Sequence, residues 1–326
     1  MRKTTLAFAV RRLLQLIPVV LAIAAMNFLL IKMAPGDAAD ILAGQMGHAT
    51  LEFTEQLRRS FGLDLPLVEQ FLIYMGRLAT LDLGVSFIQG VPVLDLILDR
   101  LPATLVLMVA AIVLAVGVGV LLGVSAARRQ GTWLDNAISV SALVVYATPS
   151  FWLGLMLIVL FSIMLDLLPS GGMTQIGAGK AGVALVLDVA RHLILPAATL
   201  GLFYVAIYTR LMRAAMLEVY GLDFITTARA KGLSEGAIAW THALRNALLP
   251  VVTLAGVQVG HLLGGSVLVE TVFGWPGLGR LVFDALLQRD LNLLLGILFI
   301  SSVVVVIANL IVDLLYGFLD PRIVHK

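Results

Sequence analysis

Residues 101–127 read LPATLVLMVAAIVLAVGVGVLLGVSAA and contain no Asp, Glu, Lys or Arg. Coiled as an α-helix, with a rise of about 1.5 Å per residue, the stretch is about 40 Å long. Roughly 20 apolar residues cross a bilayer core of about 30 Å, and a helix satisfies every backbone polar group there without water. Five further windows are free of these four residue types: 13–31, 136–165, 193–209 (running on amphipathically to about 217), 247–269 and 291–312. The whole composition agrees, with 60% hydrophobic and 13% charged residues. A soluble domain carries about 25% charge, so this chain has too little polar surface to cover itself in water. The six windows predict an all-α, polytopic membrane helical bundle of six transmembrane helices. Pro149, inside the third window, predicts a kink or a re-entrant start.

Lys and Arg set the expected orientation. The termini and the segments around 128, 210–246 and 322 hold thirteen of them on about 70 residues, whereas the alternate segments hold eight on about 120. The first set is expected in the cytoplasm, with both termini inside. The first apolar run follows Arg11-Arg12 but exceeds the ~7–15 residues of a signal-peptide core and precedes no small-x-small site, so it reads as a retained span. The windows divide the chain into a first helix over 1–33, an external loop over 34–100 and a five-helix transmembrane core over 101–326. The external loop holds nine acidic residues against four Arg. Within it Leu51, Leu57 and Phe61 predict a short amphipathic helix closed by Gly62.

Much chemistry is excluded by composition. There is no cysteine, hence no disulfide, thiolate nucleophile or Cys-ligated metal. The segment around Gly177 and Lys180 lacks the leading Gly and the Ser/Thr of a P-loop. His48, His192, His242, His261 and His325 form no ligand motif, and no G-x-S-x-G elbow occurs. No enzymatic activity, metal site or cofactor is expected on this chain.

The internal loop over 219–246 is the most informative segment. Asp223 is placed to cap a helix reaching Lys231, and Gly232 to follow its C-terminus. Ser234 is placed to cap a second helix, with Ala237, Ile238, Trp240 and Leu244 as its apolar face. Helix–Gly–helix is an ordered arrangement, and two uses are open to it: a structural pair lying on the membrane surface, or a dock for a cytoplasmic partner.

These segments together resemble one family. Arg11-Arg12-Leu-Leu-Gln-Leu-Ile-Pro18, Ala34-Pro35-Gly36-Asp37, Leu101-Pro102-Ala103-Thr104-Leu105, Pro149-Ser150-Phe151-Trp152, Ala228-Arg229-Ala230-Lys231-Gly232 with His242-Ala-Leu-Arg-Asn246, Glu270-Thr-Val-Phe-Gly-Trp-Pro-Gly-Leu-Gly279, and Asp313-Leu-Leu-Tyr316 with Asp320-Pro-Arg322 resemble the dipeptide/oligopeptide-type permease subunits of ABC importers. Thr226-Thr227-Ala228 stands where many importers have Glu-Ala-Ala. The resemblance implies a type I ABC importer permease fold in a bacterial inner membrane. It implies a second homologous permease chain, two ATP-binding subunits carrying ATP and Mg, and an extracytoplasmic substrate-binding protein over 34–100 and 273–290. Peptides are the implied substrate, with nickel complexes, glutathione or sugars as alternatives within the family. A stand-alone secondary transporter is the remaining alternative, although the windows hold no charged coupling-ion site.

For individual residues the resemblance implies ATPase coupling through Asp223, Ala228, Arg229, Ala230, Lys231, Gly232 and Leu233. Gln258 and His261, three apart on one helical face, either line the pathway or hydrogen-bond between helices. Gly256, Gly260 and Gly264, four apart, permit close helix packing. Glu270, Trp275 and Pro276 either anchor an external turn at the interface or meet the binding protein.

Overall fold

A computed structural model describes residues 2–33, 38–45, 50–60 and 62–319. Ala34–Asp37, Phe61, His48, His325 and the Asp320-Pro-Arg322 motif lie outside them. Thirteen helices make up the described chain: α1 (Arg2–Met33), α2 (Ala38–Gln45), α3 (Leu51–Ser60), α4 (Leu67–Ala79), α5 (Val93–Arg128), α6 (Trp133–Ala147), α7 (Ser150–Ile158), α8 (Val183–Tyr220), α9 (Asp223–Ala230), α10 (Glu235–Ala237), α11 (Leu244–Phe273), α12 (Leu278–Leu287) and α13 (Leu291–Leu319). Single π-helical turns follow α7, at Val159–Met164, and α10, at Ile238–Ala243. No strand occurs among the described residues beyond one bridge between Val85 and Pro92.

Three helices are individually long and apolar enough to cross a membrane: α5, α8 and the Leu291–Val312 part of α13. Two more candidates are bent. α6 and α7 meet at 104°, and the helix from Glu235 to Phe273 turns by 60° between Gln258 and Gly260. In α1 the apolar stretch is the shorter Ile17–Leu30. Pro149 accounts for the first break. A proline disfavours α-helical geometry in the residue before it, and Thr148 is extended at φ −83°, ψ 129°. The charge-free windows mark the apolar centres of α5 and α8 but not their ends. Each helix begins about a quarter of its length earlier, at Val93 and Val183.

The chain divides into two compact units, Met1–Leu101 with Leu281–Lys326, and Pro102–Arg280. In the first, α1 packs on α13 and α4. Asn27, buried in α1, donates from Nδ2 to the Leu295 carbonyl at 3.4 Å. Phe28 packs edge-on against Phe71 of α4 at 5.3 Å. Asp290 caps α13 by accepting from the Leu293 N–H at 3.1 Å, and the same carboxylate takes a hydrogen bond from Ser86. Asn292, the second residue of α13, donates to the Val85 carbonyl at 2.8 Å. The predicted amphipathic helix is α3. Gly62 follows it at φ +65°, with Gly62 N donating to the Arg59 carbonyl and Leu63 N to the Arg58 carbonyl, the pair of bonds that closes a helix on a left-handed residue.

The second unit is built around α8, against which α6, α7 and α11 pack. Gly119 and Gly123, four apart on α5, let that helix reach the backbone of α8. A Cβ at either would stand 2.6 Å from the Cβ of Tyr208 or of Met212. The expected close-packing glycine Gly264 has no atom within 4 Å of such a Cβ, so here α5 rather than Gly264 supplies the small-residue seam. At one end of the unit Arg213 of α8 grips Asp135 of α6 through Nε at 2.6 Å and Nη2 at 2.8 Å. Asp135 is 2% exposed and Arg213 partly exposed, so removing Arg213 leaves an enclosed carboxylate without its charged partner.

Candidate functional site

The loop over 219–246 is ordered throughout. α8 ends at Tyr220, and extended Leu222 (φ −85°, ψ 147°) occupies the N-cap of α9. Asp223 is therefore the first helical residue rather than the expected cap. Its carboxylate still lies in the first turn, where negative charge meets the positive end of the helix dipole. The C-terminus follows the expectation. Gly232 adopts φ +77°, its N–H donates to the Arg229 carbonyl at 2.9 Å, and Leu233 N donates to the Ala228 carbonyl at 3.3 Å. Ser234 caps the next helix by accepting from Ala237 N at 3.3 Å. Across the turn Arg229 holds Glu235 through two bonds, of 2.8 and 3.3 Å, and covers the Tyr220 ring at 5.9 Å. Both charged side chains are largely exposed, so the pair shapes the turn and adds at most about 1 kcal/mol.

Which side of the loop faces outward differs from the sequence reading in two places. Ala228 is buried with Ile225, so it packs α9 against the rest of the loop and is not itself a contact point. Trp240 is 41% exposed, whereas Ile238, Ala239 and Ala243 are fully buried. Trp240 is two residues after Ile238 and so on the opposite side of the helix, while the wider π turn at Ile238–Ala243 brings Ala243 back over Ile238. Ala230, Lys231 and Gly232 are exposed. With them Leu222, Phe224, Leu233 and Trp240, each 40–46% exposed, put large apolar side chains on the surface of one short loop. Scattered exposed apolar residues need no explanation, but a cluster marks a contact surface.

Gln258 is half-buried and His261 exposed, and the two flank the 60° bend of the helix. No group of three or more His, Asp or Glu able to hold a metal occurs among the described residues.

The third constellation is a knot around a buried carboxylate. Glu270 is fully enclosed. It accepts from Thr104 Oγ1 at 2.8 Å and from Arg280 N at 3.0 Å, while Thr104 Oγ1 accepts from Leu278 N at 2.7 Å. Trp275, also fully buried, donates from Nε1 to the Ala103 carbonyl at 2.9 Å. Gly274 ends α11 at φ +61°. A Cβ on Gly277 would stand 2.4 Å from the Glu270 carboxylate, so the chain passes the carboxylate only as glycine. The expected outward roles of Glu270 and Trp275 are thereby corrected, because both side chains point into the protein. Half-buried Pro276 and exposed Arg280 present the outer surface of this turn. Sequence reading missed Thr104. The L-P-A-T-L and E-T-V-F-G-W-P-G-L-G motifs are one structural unit, yet nothing in either names the other.

Comparison with known proteins places the whole chain. Residues 119–325 match the family described as binding-protein-dependent transport system inner membrane component, and residues 5–108 match the N-terminal component of the same systems. The di/tripeptide transport system permease protein DppB of Pseudomonas aeruginosa is 41% identical over 98% of this chain and 99% of its own length. The dipeptide transport system permease protein DppB of Escherichia coli K12 is also 41% identical, over the same shares. For the oligopeptide transport system permease protein AppB of Bacillus subtilis the figures are 40%, 97% and 99%. Among solved structures, a chain of the inward-facing MetNI methionine ABC transporter superposes with a TM-score of 0.56 at 18% identity, covering 70% of this chain and 97% of that one. That likeness is one of fold. With both parts of the chain matched, and relatives alike from end to end, the protein belongs to the binding-protein-dependent transport system inner membrane components.

Proposed function

We propose that the chain is the membrane-spanning permease subunit of an ATP-driven peptide importer, with six spans and both termini in the cytoplasm. The names of its full-length relatives support di-, tri- or oligopeptides as cargo. A second, homologous permease completes the pathway, two ATPase subunits bind ATP and Mg, and an extracytoplasmic binding protein delivers substrate; this chain hydrolyses nothing. The observation that carries the reading is the loop at 219–246, held rigid by Gly232, Ser234 and the Arg229–Glu235 pair, with apolar residues turned outward. The ATPases dock on Leu222, Phe224, Ala230, Lys231, Gly232, Leu233 and Trp240, supported from behind by Asp223, Ala228 and Arg229. ATP-driven closure moves this loop and so shifts the spans between two access states. The nucleotide acts only through its different affinities for those states. Gln258 and His261, beside the bend in the fifth span, face the pathway. The outer turn at Pro276 and Arg280 meets the binding protein.

Because the chain has no cysteine, single cysteines test this without background. One at Ile176, 99% exposed, is expected to react with an impermeant thiol reagent added to intact cells. One at Lys231 is expected to stay unlabelled and to cross-link to an ATPase subunit. Labelling of Lys231→Cys from outside contradicts both the orientation and the dock.

A further inference from the structure

Beside the loop lies a groove between the ends of α5, α6 and α8. Arg128 and Arg129, at the end of α5, line it together with Arg229, Glu235 and Tyr220. Three guanidinium groups thus share one carboxylate, and that carboxylate is engaged by Arg229. Neither Arg128 nor Arg129 has a side-chain hydrogen bond or ion pair among the described residues, and both are exposed. The Tyr220 hydroxyl, buried in the wall of the groove, has no hydrogen-bond partner among them either. An unsatisfied hydroxyl beside three guanidinium groups that share one carboxylate is a site for an anion.

The rest of the groove limits which anion. Its apolar walls are Leu122 of α5 and Leu134 and Ile138 of α6, the last two four apart and so on one side of that helix. On α5 the exposed Val118 and Leu121 continue the apolar surface from Leu122. Trp133, 78% exposed, stands at the start of α6. An exposed Trp at the end of an apolar helix sits at the headgroup level of a bilayer. The cations stand one turn or less beyond the last apolar residues of α5, at the depth of lipid phosphates. A soluble anion gains nothing from the apolar walls, whereas a phospholipid uses both parts of the site.

We propose that this groove binds an anionic phospholipid, with its phosphate on Arg128, Arg129 and the Tyr220 hydroxyl and its acyl chains along α5 and α6. Lipid bound there buttresses the back of the docking loop, since Tyr220 and Arg229 belong to both. The inference rests on the membrane reading of α5 and α6 under the proposed function, but its test is separable from transport.

The full chain, purified in detergent, is titrated with phosphatidylglycerol or phosphatidylcholine, and retained lipid is counted by native mass spectrometry. Phosphatidylglycerol is expected to be retained preferentially. The double variant Arg128→Gln/Arg129→Gln is expected to hold it about thirty-fold more weakly, from the attraction typical of two basic residues near an anionic lipid surface. Arg128→Lys/Arg129→Lys, which keeps the charges, is expected to retain it. Equal retention of the two lipids, or unchanged retention in the Gln variant, overturns the proposal. So does competition by glycerol 3-phosphate at equal concentration, which marks a soluble-anion site. If the Gln variant keeps its lipid but loses the ATPase subunits, the groove belongs to the protein dock instead. Retention of phosphatidylglycerol by a chain that binds no ATPase leaves the lipid site standing and removes the importer reading.

Discussion

Gly232→Val is expected to abolish uptake while the protein still inserts and accumulates in the membrane. At Gly232 a Cβ meets no atom within 4 Å, so the substitution causes no clash. What it cannot do cheaply is keep φ at +77°. The left-handed conformation costs a residue with a Cβ roughly 1–2 kcal/mol, and a β-branched side chain is the least suited to it. The turn relaxes, and Leu233, Ser234 and the Arg229–Glu235 pair move off the positions that set the outward face of the loop. Each 1.4 kcal/mol lost from docking weakens ATPase association about tenfold. Gly232→Asn serves as the control, because asparagine tolerates the left-handed region; it is expected to restore most of the association and the uptake. Co-purification of ATPase subunits and uptake in whole cells are the two measurements. Wild-type behaviour of the valine variant in both contradicts the assignment of the loop, and failure to insert shows that the glycine serves the membrane fold itself.

The second large effect concerns Glu270. In Glu270→Ala the Arg280 N–H and the Thr104 hydroxyl lose their buried acceptor. Each unsatisfied buried group costs about 1–3 kcal/mol, and the space left by the side chain adds a cavity. The variant is expected to be degraded or to unfold in detergent well below the wild-type melting temperature. Glu270→Gln keeps an acceptor oxygen of the same reach and is expected to lie between the two. Gly277→Ala, aimed at the same contact from the other side, is expected to resemble Glu270→Ala, since its Cβ would stand 2.4 Å from the carboxylate. Thermal unfolding of the purified chain ranks the variants. Full stability in Glu270→Ala with selective loss of binding-protein association restores the outward-contact role that burial denies to Glu270.

The apolar interior of the spans was legible because composition alone dictates it, and Pro149, Gly62 and Gly232 were legible because each requires a backbone geometry few other residues accept. Helix ends were less so. Charges close an apolar window, yet α8 continues outward past Asp188, whose carboxylate is satisfied by Lys180 at 2.7 Å and Gln175 N at 2.8 Å. The outward face of the 219–246 loop was partly misread for a specific reason: the expected apolar face groups Trp240 with Ile238, although residues two apart lie on nearly opposite sides of a helix, and Ile238 is the one that is buried. The helices α4 and α12 went unread, as amphipathic segments between stronger signals. Least legible was the pairing of Thr104 with Glu270, residues 166 positions apart. Each had an adequate local explanation, as part of a helix start and of an exposed turn, and only the folded chain brings them together.

This chain is expected to move substrate only as one part of an ATP-driven assembly. The most direct test is peptide accumulation in proteoliposomes containing the chain alone, or the chain with its second permease, ATPase subunits and binding protein, each with and without internal ATP. Accumulation is predicted only in the complete assembly with ATP. Accumulation by the chain alone, driven by an ion gradient and indifferent to ATP, would identify a stand-alone secondary transporter instead.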